Sequence, residues 1–122
     1  MYEVYNPNPH QKLVGDCVVR AISKATNKSW GETYLCLCIQ GYIMSDLPSS
    51  NLVWGAYLKS QGFTREVISD ECTVKDFCRD HTDGVYVLGT GTHAIAVVDG
   101  KYCDAWDSGN EQPIYLYKRR DE

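Results

Sequence analysis

The sequence predicts an α+β fold in which N-terminal helices pack on one face of an antiparallel β-sheet formed by the C-terminal half of the chain. In the first half, apolar residues recur at helical spacing. From Gly84 onward, short β-branched or aromatic runs alternate with turn residues, as in a meander of strands. Helices followed by strands are typical of α+β proteins. At 122 residues the length fits one domain over residues 1–122.

Four helices are predicted before Gly84. The first covers residues 16–27, with Asp16 placed to cap it, and its apolar positions are Val18, Ala21, Ile22 and Ala25. A capping box at residues 29–32 begins a second helix. A third helix carries Val53, Trp54, Tyr57 and Leu58 and ends near Gly62. Thr73 is placed to cap a short fourth helix.

Strands are predicted from short apolar runs bounded by turn residues. The first covers residues 64–69, and four more cover residues 85–88, 93–98, 101–106 and 114–117. The pair Asp99-Gly100 between two of these runs is a strong hairpin signal. We therefore expect the strands at residues 93–98 and 101–106 to be adjacent and antiparallel.

Charge and hydropathy exclude several classes of function. The chain has 12 basic and 16 acidic residues, and its basic run at residues 118–120 is followed by Asp121 and Glu122. It therefore lacks the basic surface of a nucleic-acid-binding protein. No apolar stretch reaches the length of a membrane span or resembles a signal peptide. We expect a cytoplasmic protein that binds neither nucleic acid nor membrane.

The six cysteines are predicted to be free thiols, because the sequence carries no export signal. Cys72, Cys78 and His81 lie close together in sequence, but no second cysteine pair completes a tetrahedral zinc site. The glycines of residues 89–91 lack the spacing of a phosphate-binding loop. The sequence therefore predicts no metal and no cofactor.

Cys17 differs from the other cysteines because it lies at the predicted start of a helix. The positive end of the helix dipole and unpaired N–H groups lower the pKa of a thiol there. His93 begins a predicted strand, where its ring can accept the thiol proton at the edge of the sheet. The backbone N–H of Cys17 and a nearby amide side chain would form an oxyanion hole, for which Gln11 is the natural candidate.

Two aspartates are candidates for orienting His93. If Asp99-Gly100 is a strict two-residue turn, Asp104 shares the face of His93. A three-residue loop shifts the register by one residue and brings Asp107 to that face instead. The pattern of residues leaves both alternatives open.

The chain resembles the papain-like cysteine peptidase superfamily, in its compact bacterial and phage forms and in Josephin-type deubiquitinases. The resemblance rests on Gln11, on Gly15-Asp16-Cys17 entering a helix, on His93 with its apolar strand, and on residues 100–108. In that superfamily the orienting residue commonly ends the strand after the histidine strand and precedes a small residue, which favours Asp107-Ser108. The resemblance implies a Cys17–His93–Asp107 triad, with Gln11 in the oxyanion hole.

The expected activity is that of a thiol hydrolase that cleaves peptide or isopeptide bonds through an acyl-enzyme, with a peptide or protein as substrate. Two alternatives share the same residues. One is an acyl or amine transferase of transglutaminase type, since both reactions pass through an acyl-enzyme. The other is a papain-like module that binds a protein without catalysis.

Overall fold

The computed structural model describes residues 1–120, which form four helices and one six-stranded sheet. The helices are α1 (Cys17–Thr26), α2 (Trp30–Met44), α3 (Asn51–Ser60) and α4 (Val74–Asp80). The strands are β1 (Tyr2–Val4), β2 (Phe63–Val67), β3 (Val85–Gly89), β4 (Ala94–Val98), β5 (Lys101–Asp104) and β6 (Tyr115–Arg119). The predicted α+β class is confirmed. Within residues 1–120, no helix combines the length and the apolar character needed to cross a membrane.

The helix ends follow local sequence. Ser29 and Glu32 form the predicted capping box at the start of α2, and Thr73 and Asp76 form another at the start of α4. Helix α3 ends at Ser60, two residues before Gly62, which adopts a left-handed φ of 91°. Asp16 occupies the N-cap position of α1, but its side chain makes no capping hydrogen bond, contrary to the prediction.

The sheet is mixed, so the prediction of a purely antiparallel sheet from the C-terminal half is wrong. Its strand order is β1-β5-β4-β3-β6-β2, and β1 runs parallel to β5 while all other neighbours are antiparallel. The N-terminal residues supply β1, which pairs with a β5 edge that would otherwise expose unpaired backbone groups.

The β4–β5 hairpin has the two-residue turn that the sequence offered as its simpler alternative. Val98 pairs with Lys101, and Asp99 and Gly100 have left-handed φ angles of 50° and 80°. Two consecutive left-handed residues match the right-handed twist of the strands. Strand β5 ends at Asp104, two residues earlier than predicted.

Helices cover both faces of the sheet. On one face α1, α2 and α3 bury a core that includes Ile22, Leu37, Trp54, Leu58, Val87 and Ala96. On the other face α4 packs through Val74 and Phe77 against Leu88, Ile95, Val97 and Tyr102. The expectation of helices on one face therefore holds for three of the four helices. The small side chains of Ala94 and Ala96 lie under α1 and admit its close approach, which places the start of α1 beside the start of β4.

Candidate active site

Cys17 is the first residue of α1, as predicted, and its side chain is half-buried. The N–H groups in the first turn of a helix have no carbonyl partner within the helix. They also lie at the positive end of the helix dipole. Cys17 therefore combines a thiol with backbone donors that could bind a developing negative charge beside it.

His93 immediately precedes β4 and is held by a tight loop. Thr90 accepts a hydrogen bond from the His93 N–H at 3.1 Å through its hydroxyl, and its own N–H donates to the His93 carbonyl at 3.0 Å. Gly91, with φ of 101°, allows the chain to turn between them. The His93 ring lies 5.0 Å from that of Trp106, and the side chain is only 12% exposed. The backbone therefore fixes where the imidazole lies.

The structure brings Asp104 to His93, so the choice of Asp107 is corrected. Asp104 Oδ2 lies 2.7 Å from His93 Nε2. Asp107 instead accepts hydrogen bonds from the Tyr102 hydroxyl at 2.6 Å and from the Gly109 N–H at 3.0 Å. The two-residue turn sets this register, and the early end of β5 makes Asp104 the residue that ends the strand.

Asp104 is almost wholly buried and every contact on it comes from a donor. Arg20 donates to Oδ1 through Nε at 3.1 Å and lies within 2.9 Å of the same oxygen through Nη2. The Ala105 N–H also donates to Oδ1, at 2.8 Å. The Ser108 hydroxyl donates to Oδ2 at 2.6 Å, on the oxygen that faces His93. These contacts fix the plane of the carboxylate and satisfy its buried charge.

Gln11 does not lie where an oxyanion donor is needed, which corrects that prediction. Its side-chain amide donates to the carbonyls of Asn8 at 3.1 Å and Asn6 at 3.4 Å, within the loop before α1. Gln11 itself has a left-handed φ of 56° and is not among the residues that line the cleft around Cys17. Of the predicted oxyanion donors, the backbone N–H of Cys17 remains.

The electrostatics couple Cys17 to His93. Burial opposes the charged forms of both groups, but their polar and charged neighbours outweigh burial in both cases. For Cys17, the nearby His93 ring, the Ala94 backbone and the Arg20 guanidinium together lower the pKa of the thiol. For His93, the hydrogen bond to Asp104 and the contact with Cys17 raise the pKa to about 9. Since Nε2 is bound to Asp104, Nδ1 is the ring nitrogen left for the thiol.

Other cysteines lie in surroundings that suppress the thiolate. Burial raises the pKa of Cys78, and burial together with nearby aspartates raises that of Cys72. Burial and a hydrogen bond to Glu3 raise the pKa of Cys103 to about 12. The pKa of Cys17 is shifted in the opposite direction to those of Cys72, Cys78 and Cys103.

A cleft of about 600 Å³ opens beside Cys17 and His93. Its walls come from the start of α1, from α2 and α3, and from the loop before β4. They are mostly apolar or aromatic and include Val18, Trp30, Tyr34, Leu37, Trp54 and Tyr115. Asp16 also lines the cleft, but its carboxylate is bound to Arg20 and to the Trp30 indole N–H. The cleft therefore presents an apolar surface next to the thiol.

The part of the chain that the structure describes contains no cluster of histidine, cysteine and acidic side chains arranged to hold a metal ion. Cys78 is buried in the core, and the His81 ring stacks on Phe77 with its Nδ1 bonded to the Phe77 carbonyl at 2.9 Å. These residues are engaged in packing.

Three residues that contact this site were missed from the sequence: Arg20, Ser108 and Trp30. A signal for Arg20 was present, because Asp16 and Arg20 are four residues apart and face each other on a helix. A charged residue on the otherwise apolar inner face of α1 also indicates a buried partner. Ser108 carries no local signal, since its contact with Asp104 depends on the path of the loop after β5.

Comparison with known proteins gives no match: no family model, no curated protein and no solved structure is detectably similar to this chain. The geometry of the site is therefore the basis for any proposal about function.

Proposed function

We propose that the protein is a thiol hydrolase that cleaves peptide or isopeptide bonds through an acyl-enzyme intermediate. One observation carries the proposal: a thiol at a helix start is coupled to an imidazole whose other nitrogen is bound, at 2.7 Å, to a buried carboxylate. Nucleophile, base and orienting group in this order are the requirements of a cysteine hydrolase.

The proposed reaction assigns a role to each group. The Cys17 thiolate attacks the substrate carbonyl carbon, and the resulting oxyanion is bound by the N–H of Cys17 in the first turn of α1. Protonated His93 then donates its proton to the leaving amine as the C–N bond breaks. Neutral His93 then takes a proton from water, which attacks the thioester; the C–S bond breaks, the carboxylic acid product leaves and the thiolate–imidazolium pair is restored. Asp104 holds the ring through Nε2 and leaves Nδ1 free to exchange a proton with the thiol.

The cleft supports a peptide or protein as substrate. Its apolar and aromatic walls beside Cys17 suit an uncharged, apolar side chain near the scissile bond. Among the described residues that line it, the charged carboxylate of Asp16 is already paired with Arg20. A basic side chain would find no free carboxylate there and would lose its hydration.

The first test is selective alkylation. Native protein is treated with limiting iodoacetamide at about pH 6, and the labelling of each cysteine is quantified by peptide mass spectrometry. We expect Cys17 to react at least about tenfold faster than any other cysteine, because a thiolate paired with imidazolium persists well below the usual thiol pKa. His93→Ala should abolish this preference. Uniform labelling of the six cysteines would contradict the proposal and favour a binding module.

The second test is acylation with p-nitrophenyl acetate, which reports both steps of the reaction. We expect a burst of about one p-nitrophenolate per protein, followed by steady turnover as the acyl-enzyme is hydrolysed. Cys17→Ala should lose both phases. Cys38→Ala is the matched control, because Cys38 is a half-buried cysteine that lines the same cleft. A burst that persists in Cys17→Ala would exclude Cys17 as the nucleophile.

A further inference from the structure

Arg20 connects the candidate triad to a second buried carboxylate. Its guanidinium lies between Asp104 and Asp16, and all three side chains are at least nine-tenths buried. Asp16 binds Arg20 through one oxygen and accepts the Trp30 indole N–H through the other at 2.9 Å. We call Asp16, Arg20, Asp104 and His93 the buried charge network.

The two oxygens of Asp104 bind different partners. Oδ1 is held by Arg20 and by the Ala105 N–H, and does not contact His93. Oδ2 faces His93 and is fixed by Ser108. A carboxylate held only by His93 could rotate about its Cβ–Cγ bond. Arg20 restricts this rotation together with Ser108 and the Ala105 N–H, and it is the one side chain that brings two nitrogens to Oδ1.

We propose that Arg20, anchored by Asp16, is a positioning residue that holds the Asp104 carboxylate in the orientation in which Oδ2 binds His93 Nε2. The inference rests on the proposed function, since it concerns the alignment of the same imidazole. Asp16 thereby anchors Arg20 instead of capping the helix. Its hydrogen bond from Trp30, which lines the cleft, links the cleft wall to Arg20.

Arg20 affects His93 in two separable ways. Its fork geometry orients Asp104, and lysine cannot reproduce that geometry because it presents a single ammonium group. Its positive charge competes with imidazolium for the negative charge of Asp104. The titratable groups that act on the His93 ring are Asp104 on β5 and Cys17 on α1. Arg20 acts through Asp104, and Tyr115 on β6 lies close enough to Cys17 to interact with it electrostatically.

The test measures the two effects in separate variants. Arg20→Lys keeps the charge, so we expect the His93 titration midpoint, followed by NMR, to stay near that of the wild type, while the maximal alkylation rate of Cys17 falls about tenfold. The double variant Asp16→Asn/Arg20→Gln removes the ion pair without leaving one buried charge alone. We expect it to raise the His93 midpoint by at least about 0.5 pH.

Arg79→Met is the matched control, because Arg79 forms an exposed ion pair with Asp76 at 2.7 Å and should change neither readout. Circular dichroism verifies that each variant is folded. Folded Arg20→Lys and double variants that retain both the wild-type alkylation rate and the wild-type His93 midpoint would overturn the assignment of Arg20.

A measurement on the unmodified protein decides the question if the variants fail to fold. We expect the Arg20 Nε resonance to shift with pH at the same midpoint as His93, because both groups share Asp104. A resonance that stays constant through the His93 titration would overturn the proposal. These NMR readouts do not need turnover. If Cys17 is alkylated selectively but the Arg20 Nε resonance does not follow the His93 titration, only the role of Arg20 is rejected. If the Arg20 Nε resonance follows the His93 titration but Cys17 is not alkylated selectively, the proposed hydrolase activity is rejected.

Discussion

At the scale of single residues, two aspartates three positions apart have different surroundings. Asp104 is buried against His93 and Arg20, whereas Asp107 binds Tyr102 near the surface. We expect Asp104→Asn to lower the alkylation rate of Cys17 at neutral pH by about 100-fold or more, because a neutral amide neither stabilises imidazolium nor selects the required tautomer of the neutral ring. Asp107→Asn is the matched control and should stay within about threefold of the wild type. A larger loss in Asp107→Asn than in Asp104→Asn would contradict the corrected assignment.

The sequence was sufficient to locate Cys17 and His93 because each lies at the end of an element, where local signals are strong. It left Asp104 and Asp107 open because the choice depends on a one-residue register and on where β5 ends. Arg20 was missed because its contact with Asp104 joins α1 to the end of β5, 84 residues away in sequence. Ser108 was missed because its contact with Asp104, four residues away, depends on the path of the loop after β5. Gln11 was wrongly placed because the fold of its own loop engages its amide.

At the scale of elements, the β4–β5 turn sets the pairing that brings Asp104 to His93. Gly100 has φ of 80°, and an added Cβ would lie 3.3 Å from the Thr82 Cα. We expect Gly100→Ala to lower the free energy of unfolding by at least about 1 kcal/mol, measured by urea denaturation. Gly31→Ala is the matched control: Gly31 lies in α2 with open space around its Cα, so alanine should stabilise by up to about 1 kcal/mol. Equal losses in both variants would refute the argument.

Elements with strong local signals were predicted well, and those set by tertiary pairing were not. The capping box at Ser29, the Thr73 cap and the hairpin at Asp99-Gly100 are present where the sequence indicates them. Strand β1 has only three residues and no alternation of its own, and it forms because β5 offers an open edge. The sequence also could not predict which face of the sheet α4 covers, since a short amphipathic helix can pack on either side of a sheet.

At the scale of the whole molecule, the buried charge network joins α1 to β5 and to the start of β4, so proton binding is linked to folding. Relative to the unfolded chain, folded His93 gains a proton between its unfolded pKa of 6.5 and its folded pKa of about 9. Over part of the same range folded Cys17 loses one, because its folded pKa lies below its unfolded value of 9.0. The two contributions to the pH dependence of stability therefore oppose each other in the wild type.

Cys17→Ala removes the contribution of the thiol to the pH dependence of the free energy of unfolding. The contribution of His93 should then be measurable by itself. Asp104 still raises the His93 pKa, so the folded variant binds more protons than the unfolded chain above pH 6.5. Protonated His93 therefore stabilises the folded variant fully below pH 6.5, and this stabilisation is lost as the pH rises through the folded pKa of His93. The free energy of unfolding then falls by at most about 1.4 kcal/mol per pH unit. Urea denaturation at intervals between these pH values measures this slope, which should be steeper than in the wild type. Cys17→Ala/His93→Gln is the control and should lose it. A slope in Cys17→Ala no steeper than that of this double variant would show that the interaction of His93 with Asp104 does not stabilise the imidazolium in the folded protein.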